Sequence, residues 1–349
     1  DLGLEKGDRI LLQSRNNLQL FESCWVAFRM GCVWVPTNFR LTPPEVSYLA
    51  TSSGACAMIY EAGFEEHASK VQQDSTSLKH LIRIGDVQGD QLSYESLVEN
   101  HLGQEYEVEP VEYDHPLWFF FTSGTTGRPK AGVLTHGQMN FVVTNHLADL
   151  IPGTNEKDVS IAVAPLSHGA GVHMLLNVVR GAPLVLMQGN KLDPEIFWQL
   201  VEKHQVSNLF TVPTIVKMLV EHESVDRYDH SSLRYMIYAG APMYRADQKK
   251  ALEKLGPVMV QYYGMGEVTG CITYLPTKMH SLDDDDPNAN IGSCGIPRTG
   301  MEITILDSDQ KPLKTGEVGE ICCRGPAVCE GYHENTEATA EAMRGGWFH

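Results

Sequence analysis

The feature that most restricts the fold is a rhythm of short apolar runs and longer amphipathic stretches, punctuated by glycine and proline. Residues 9–12 read as a strand. Residues 19–30 read as a helix ended by Gly31. Residues 33–35 form a second strand stopped by Pro36, and 43–53 a helix with Thr42 at its N-cap. Residues 57–60 are a strand again. After a more polar stretch at 61–115, where no regular element is assigned, the rhythm returns. Strands are predicted at 159–163, 183–187, 208–211, 233–238 and 258–262. Helices are predicted between and around them at 171–179, 194–204, 213–221 and 245–255. Such alternation implies parallel sheets with helices on their faces.

The rhythm breaks at 281–287, SLDDDDP. Four consecutive aspartates could bind a cation, but nothing in the sequence holds them convergent, and a solvated loop is the better reading. Beyond it come short strands with Gly and Pro turns, at 301–306, 319–324 and 331–332, read as a small antiparallel β-barrel or sheet. The expected architecture is α/β. Two βα-layered parallel-sheet subdomains, 1–155 and 156–287, are followed by a β-barrel subdomain, 288–349.

Charge narrows the partners. The 349 residues carry 27 basic and 44 acidic side chains, a net −17. That speaks against a nucleic-acid backbone as partner. No apolar run is long enough for a transmembrane segment. The eight cysteines are scattered without a C-x-x-C pair, which speaks against a zinc site and for reduced thiols in a cytoplasmic protein. A homodimer is compatible with these properties. Asp1 sits directly in domain-like sequence, so further residues are expected upstream.

The chemistry is concentrated in residues 118–136, WFFFTSGTTGRPKAGVLTH. The apolar run 117–121 suits a buried strand. Thr122, Ser123, Gly124, Thr125, Thr126, Gly127, Arg128, Pro129 and Lys130 follow, with four hydroxyls, two glycines and two cations. Glycines let backbone N–H groups approach a ligand, hydroxyls donate hydrogen bonds, and Lys130 adds charge. Residues 137–150 read as a helix. Strand, loop and helix in that order describe a phosphate-binding arrangement. It is not the common P-loop, because Lys130 follows Gly127 by three and Ala131 follows the lysine. A plain polar surface loop is the competing reading.

Three more loops lie where strands end, the usual place for ligands in open parallel sheets. In Pro165-Leu166-Ser167-His168-Gly169, His168 could line a pocket. His173 completes an H-x-x-x-x-H pair, but no third ligand is evident and a metal reading is set aside. Residues 238–243, with Gly240, Ala241 and Pro242, are small enough for a flat ring to lie against backbone. In Tyr262-Tyr263-Gly264-Met265-Gly266-Glu267, a tyrosine can stack on a base and a carboxylate can hold Mg²⁺ beside phosphates.

Taken together, these stretches resemble the large N-terminal domain of the adenylate-forming superfamily, which includes acyl-CoA synthetases, luciferases and peptide-synthetase adenylation domains. The resemblance covers essentially the whole chain, and 122–130 is its most specific part. It implies that Thr122, Ser123, Gly124, Thr125, Thr126, Gly127 and Lys130 hold the phosphates of ATP. Gly240, Ala241 and Pro242 would border adenine, Tyr263 would stack on it, and Tyr262, Gly264, Met265 and Gly266 would complete the nucleotide contacts. Glu267 would hold Mg²⁺, and His168 would stand where the acid enters. Catalytic roles then fall to Thr122, Lys130, His168 and Glu267.

The implied reaction joins a small carboxylic acid to ATP as an acyl-adenylate, then transfers the acyl group to CoA. An adenylation domain charging a carrier protein is the alternative within the family. A non-catalytic nucleotide- or acyl-adenylate-binding protein is the alternative outside enzymology. Three departures from the family pattern stand out. Ala131 replaces a glycine, Gly266 replaces a threonine expected at the α-phosphate, and the sequence stops at His349. The ribose-binding aspartate and the C-terminal domain with its catalytic lysine are expected beyond that point.

Overall fold

The computed structural model describes residues 2–87, 91–122, 127–187 and 191–349. By packing, the chain divides into two compact units. The first is Asp1–Met139 with Cys329–Ala340, the second Asn140–Val328 with Glu341–His349.

The first unit contains β1 (Arg9–Gln13), α1 (Leu18–Arg29), β2 (Val33–Pro36), α2 (Pro43–Ser53), β3 (Ala57–Glu61), α3 (Glu65–Asp74), β4 (His80–Ile84), β5 (Leu92–Ser93), α4 (Tyr94–Glu99), β6 (Pro116–Thr122) and β7 (Lys130–Thr135). Its sheet has the order β5-β4-β3-β1-β2-β6-β7. All neighbours are parallel except the β6–β7 pair. The central strands β1, β2 and β3 are buried on both faces, which is why they read as apolar runs rather than alternating ones. On one face Leu11, Val35, Met58 and Phe119 pack with Val46, Leu49 and Ala50 of α2 and Val71 of α3. Burying each large side chain contributes about 1.5–3 kcal/mol. Caps fix where the helices begin. Asn17 Oδ1 accepts from the Leu20 N–H at 2.8 Å at the start of α1. The Glu45 carboxylate accepts from the Thr42 N–H and hydroxyl, both at 2.7 Å, at the start of α2.

α5 (His136–Asp149) leads into the second unit, which holds β8 (Ser160–Ala162), α6 (Gly169–Val179), β9 (Leu184–Leu186), α7 (Pro194–His204), β10 (Asn208–Thr211), α8 (Pro213–Glu221), β11 (Tyr235–Tyr238), α9 (Arg245–Leu255), β12 (Met259–Tyr263), β13 (Thr273–Leu275), β14 (Ile296–Pro297), β15 (Glu302–Leu306) and β16 (Glu320–Arg324); α10 (Thr336–Ala342) comes last. The second sheet runs β14-β13-β12-β11-β10-β8-β9. It is parallel from β9 to β12 and antiparallel at β13 and β14. Trp198 and Phe197 of α7, Leu219 of α8 and Met236 of β11 are at the centre of its core.

The structure corrects several expectations. The helix expected at 137–150 is α5, but β7, which was not expected, stands between it and the phosphate loop, paired antiparallel with β6 so that the loop closes a hairpin. Of the barrel or sheet expected beyond 288, the described residues form the sheet, two-stranded and antiparallel, of β15 and β16. Residues 331–332 do not join it. Tyr332 bridges Gly132 of β7 in the first unit, and the Val133 N–H donates to the Gly331 carbonyl at 2.9 Å. Among the described residues, the polar stretch 61–115 contributes α3, α4, β4 and the edge strand β5. The aspartate run is an exposed loop, and Asp284 is paired with Arg245 and Lys249 at 2.8 and 2.6 Å.

Candidate functional site

In the first unit the hairpin sets the geometry. Thr122 closes β6 and Lys130 opens β7, directly opposite one another in the ladder. Both are half-buried. Ser123, Gly124, Thr125 and Thr126, the centre of the expected phosphate loop, lie outside the described residues. Gly127 is exposed, with open space where a Cβ would stand. The Lys130 Nζ lies 5.2 Å from the centre of the Tyr332 ring. That contact exists because 330–333 runs along β7, with the His333 N–H donating to the Ala131 carbonyl at 2.9 Å. On the other side of the loop's exit, the Tyr48 hydroxyl donates to the Pro129 carbonyl at 3.1 Å and Arg128 lies over the Tyr48 ring at 5.2 Å. Sequence reasoning named neither Tyr48 as a neighbour of 128–129 nor Tyr332 as a neighbour of Lys130. Neither is near in sequence; α2 carries the first to its place and pairing beside β7 the second.

In the second unit the expected loops leave the ends of β8, β11 and β12. His168 stands at the N-cap position of α6, exposed, with Nδ1 3.1 Å from the Ser167 hydroxyl. Surrounding protein holds its titration below the usual histidine range. His173, one turn further on, is buried instead. Its Nε2 lies 2.8 Å from Asn208 Oδ1 on β10, and burial pushes its pKa down to about 4. Among the described residues the two histidines join no group of three convergent ligand side chains.

Tyr238 ends β11 buried, with its hydroxyl 3.0 Å from His280 Nε2. Gly240 then turns at φ +83°, a conformation that favours glycine, and Ala241 and Pro242 are exposed. At the end of β12 the two tyrosines part. Tyr262 is buried and stacks on Phe210 with ring centres 5.6 Å apart. Tyr263, on the opposite face of the strand, is exposed. Its ring is therefore the available stacking surface of the pair.

Gly264 crosses Gly270 so closely that a Cβ on Gly264 would stand 2.5 Å from the Gly270 Cα. This crossing folds 264–270 into a tight loop, with a 3₁₀ turn at Gly266–Val268. Gly266 opens that turn, and Glu267 within it is buried. Thr269 ends it with φ +49°, left-handed for a non-glycine residue.

Behind this loop lies a buried polar group that the sequence did not suggest. The Arg298 guanidinium is paired to Asp149 at 3.0 Å, donates to the Gly270 carbonyl at 3.3 Å, and lies over the Tyr274 ring at 5.5 Å. Asp149 also accepts from the Thr299 N–H and hydroxyl at 2.9 and 2.7 Å. The C-terminal end of α5, the carbonyl after the 264–270 loop and the 298–299 turn are thus held by one ion pair.

No helix among the described residues is long and apolar enough to cross a membrane. Comparison with known proteins gives a consistent result. The profile of the family described as AMP-binding enzyme matches residues 1–333. A feruloyl-CoA synthase of Amycolatopsis sp is 32% identical over 349 residues, covering 99% of this chain and 66% of that protein. A medium/long-chain-fatty-acid–CoA ligase, FadD8, of Mycobacterium tuberculosis is 27% identical over 87% of this chain and 52% of its own length. The chain thus spans no more than about two thirds of these relatives. The crystal structure of the N-terminal domain of FACL13 from Mycobacterium tuberculosis superimposes with a TM-score of 0.85 at 25% identity, covering 99% of this chain and 83% of that one.

Proposed function

The chain belongs to the AMP-binding enzyme family, and from that premise we propose that it activates a carboxylic acid with ATP and passes the acyl group to CoA. A carboxylate oxygen attacks the α-phosphorus and pyrophosphate leaves. The CoA sulfur then attacks the acyl carbon of the adenylate and AMP leaves. The protein's part is to position the reactants and to stabilise charge where it develops.

By resemblance, Thr122, Lys130 and Ser123 to Thr126 would serve the phosphates. The exposed Tyr263 ring and the small backbone at Gly240, Ala241 and Pro242 would serve adenine, with Tyr262, Gly264, Met265 and Gly266 shaping the loop. His168 stands at the acyl loop. Glu267, a hard oxygen donor, suits the Mg²⁺ that accompanies ATP, and the bound ion would offset phosphate charge.

The observation that carries the proposal is the hairpin, with its hydroxyl at one strand end and its lysine at the facing one. An aromatic acid is the first candidate substrate, because the relative at 32% identity is a feruloyl-CoA synthase. The absence of a hydroxyl at Gly266 favours a second reading, a protein that binds the adenylate but forms it slowly.

Acid-dependent ATP–pyrophosphate exchange, measured with hydroxycinnamic, benzoic and fatty acids, tests both. Exchange with one class and release of AMP on adding CoA is the expected outcome. Lys130→Ala should weaken ATP binding by about 1.5–3 kcal/mol, roughly ten- to a hundredfold, through loss of a charge-assisted contact. ATP binding without exchange for any acid would replace the ligase reading with the second one.

A further inference from the structure

A separate group of side chains, in the second unit, has no role in the proposed ligation. The donor atoms of Glu320, Cys322 and His349 all lie within 4.8 Å of one another, the one such convergence of three among the described residues. Backbone pairing produces it. Glu320 and Cys322 are two apart on β16 and so share a face. Residues 347–349 run antiparallel to that strand. The Cys323 N–H donates to the Phe348 carbonyl at 2.9 Å and the Phe348 N–H to the Cys323 carbonyl at 2.8 Å. One step along this register, His349 stands opposite Cys322, where cross-strand side chains come closest.

The hydrogen bonding then fixes which nitrogen faces the group. His349 Nε2 lies 3.2 Å from the Arg344 carbonyl, which can only accept, so Nε2 carries the hydrogen. The Nδ1 lone pair is left facing Glu320 Oε2 at 2.9 Å and Cys322 Sγ at 3.2 Å. Two acceptors, the carboxylate oxygen and Nδ1, thus meet with nothing between them unless a proton or a cation is supplied. The surroundings match those of a metal ligand set. A ligating histidine usually donates its other N–H to a carbonyl or carboxylate, and a ligating carboxylate is itself hydrogen-bonded. Here the Arg344 guanidinium donates to Glu320 Oε2 at 2.7 Å. The histidine side chain is only 2% exposed while Glu320 is 47% exposed, so a fourth position can open to water on the carboxylate side.

We propose that Glu320, Cys322 and His349 form a site for a divalent transition metal of the zinc class, tying residues 344–349 to β16. A thiolate, an imidazole and a carboxylate are a borderline-soft set suited to Zn²⁺. Binding breaks the Cys322 S–H bond, forms the metal–sulfur bond and releases the proton to solvent. The absence of a C-x-x-C pair does not bear on this site, because its ligands are gathered by strand register rather than by local spacing.

Cobalt(II) titration of the reduced protein, followed in the near ultraviolet, tests it. The expected result is a thiolate-to-cobalt charge-transfer band that saturates at one equivalent, is displaced by Zn²⁺, and is lost in Cys322→Ser. Glu320→Gln, at a half-exposed position, should keep the fold by circular dichroism and bind at least roughly tenfold more weakly. No band, or a band that persists in both Cys322→Ser and His349→Ala, overturns the proposal and leaves a proton-bridged histidine–carboxylate pair in its place. Neither outcome bears on acid activation, since metal binding is read without substrate.

Discussion

At the scale of single residues, the buried Arg298–Asp149 pair shows how the second unit holds its 264–270 loop. Both side chains are out of solvent, and each makes further hydrogen bonds that leave little of its charge unmet. A buried pair of this kind need not stabilise the fold relative to apolar residues, but breaking it from one side strands a charge. Asp149→Ala should therefore cost about 3–5 kcal/mol. The double replacement Asp149→Leu with Arg298→Met removes both charges and should cost less than Asp149→Ala alone. Urea denaturation of the three proteins checks the order. A double variant as unstable as the sum of its parts would mean that the contacts to Gly270 and Thr299, not the charge balance, are what matters. Arg298 is also the residue here least legible beforehand. A lone arginine in a turn reads as surface until the fold closes over it.

At the scale of elements, the 262–270 loop depends on two glycines that cannot carry side chains. A Cβ at Gly264 meets the Gly270 backbone, which cannot rotate away, and a Cβ at Gly270 would meet the Tyr262 ring at 2.3 Å. Gly264→Ala should then force the chains apart, at a cost of about 1–3 kcal/mol, and displace Tyr263 and Glu267 together. Thermal denaturation and ATP binding should both be impaired, whereas Gly127→Ala, which meets open space, should leave stability unchanged. Equal stability of Gly264→Ala and the parent protein would show that the crossing is slack. The same scale explains what could be read from the sequence. The bounds of α2, α7 and α8 were legible because proline stands in the first turn of each. β7 was not, since Lys130-Ala131-Gly132-Val133 lacks the look of a strand and its pairing with β6 spans a loop of polar residues. β4 was hidden because histidine and arginine interrupt its apolar residues. The place of 331–332 beside β7 is a pairing across nearly two hundred residues, which no local pattern encodes. The candidate site was legible as a set of motifs, while the neighbours of those motifs were not.

At the scale of the whole molecule, buried histidines make stability depend on pH. In the second unit, burial holds His173 and His280 down to about 4, and burial together with the Arg298 charge holds His146 well below its ordinary value. Each folded value lies below the value of about 6.5 in an unfolded chain. Above about pH 6.5 both states are neutral and the full stability is present. As pH falls toward about 4, the unfolded chain takes up protons that the folded one refuses, so stability declines. Each such histidine contributes about 1.4 kcal/mol per pH unit within that window. Carboxylates titrate mostly below it, so a loss between pH 6.5 and 5 belongs to the histidines. Hydrogen exchange read on peptides from β10 to β12, corrected for intrinsic rates, should show protection falling steadily from pH 7 to pH 5. Constant protection over that range would mean that these rings can be protonated in place. The position of His173 makes the consequence functional as well as structural. Its neutral ring joins α6 to Asn208 of β10, and the N-terminus of α6 carries His168. Acid should therefore loosen the proposed acyl loop before the sheet itself opens, and protection should fall first in peptides covering 165–177.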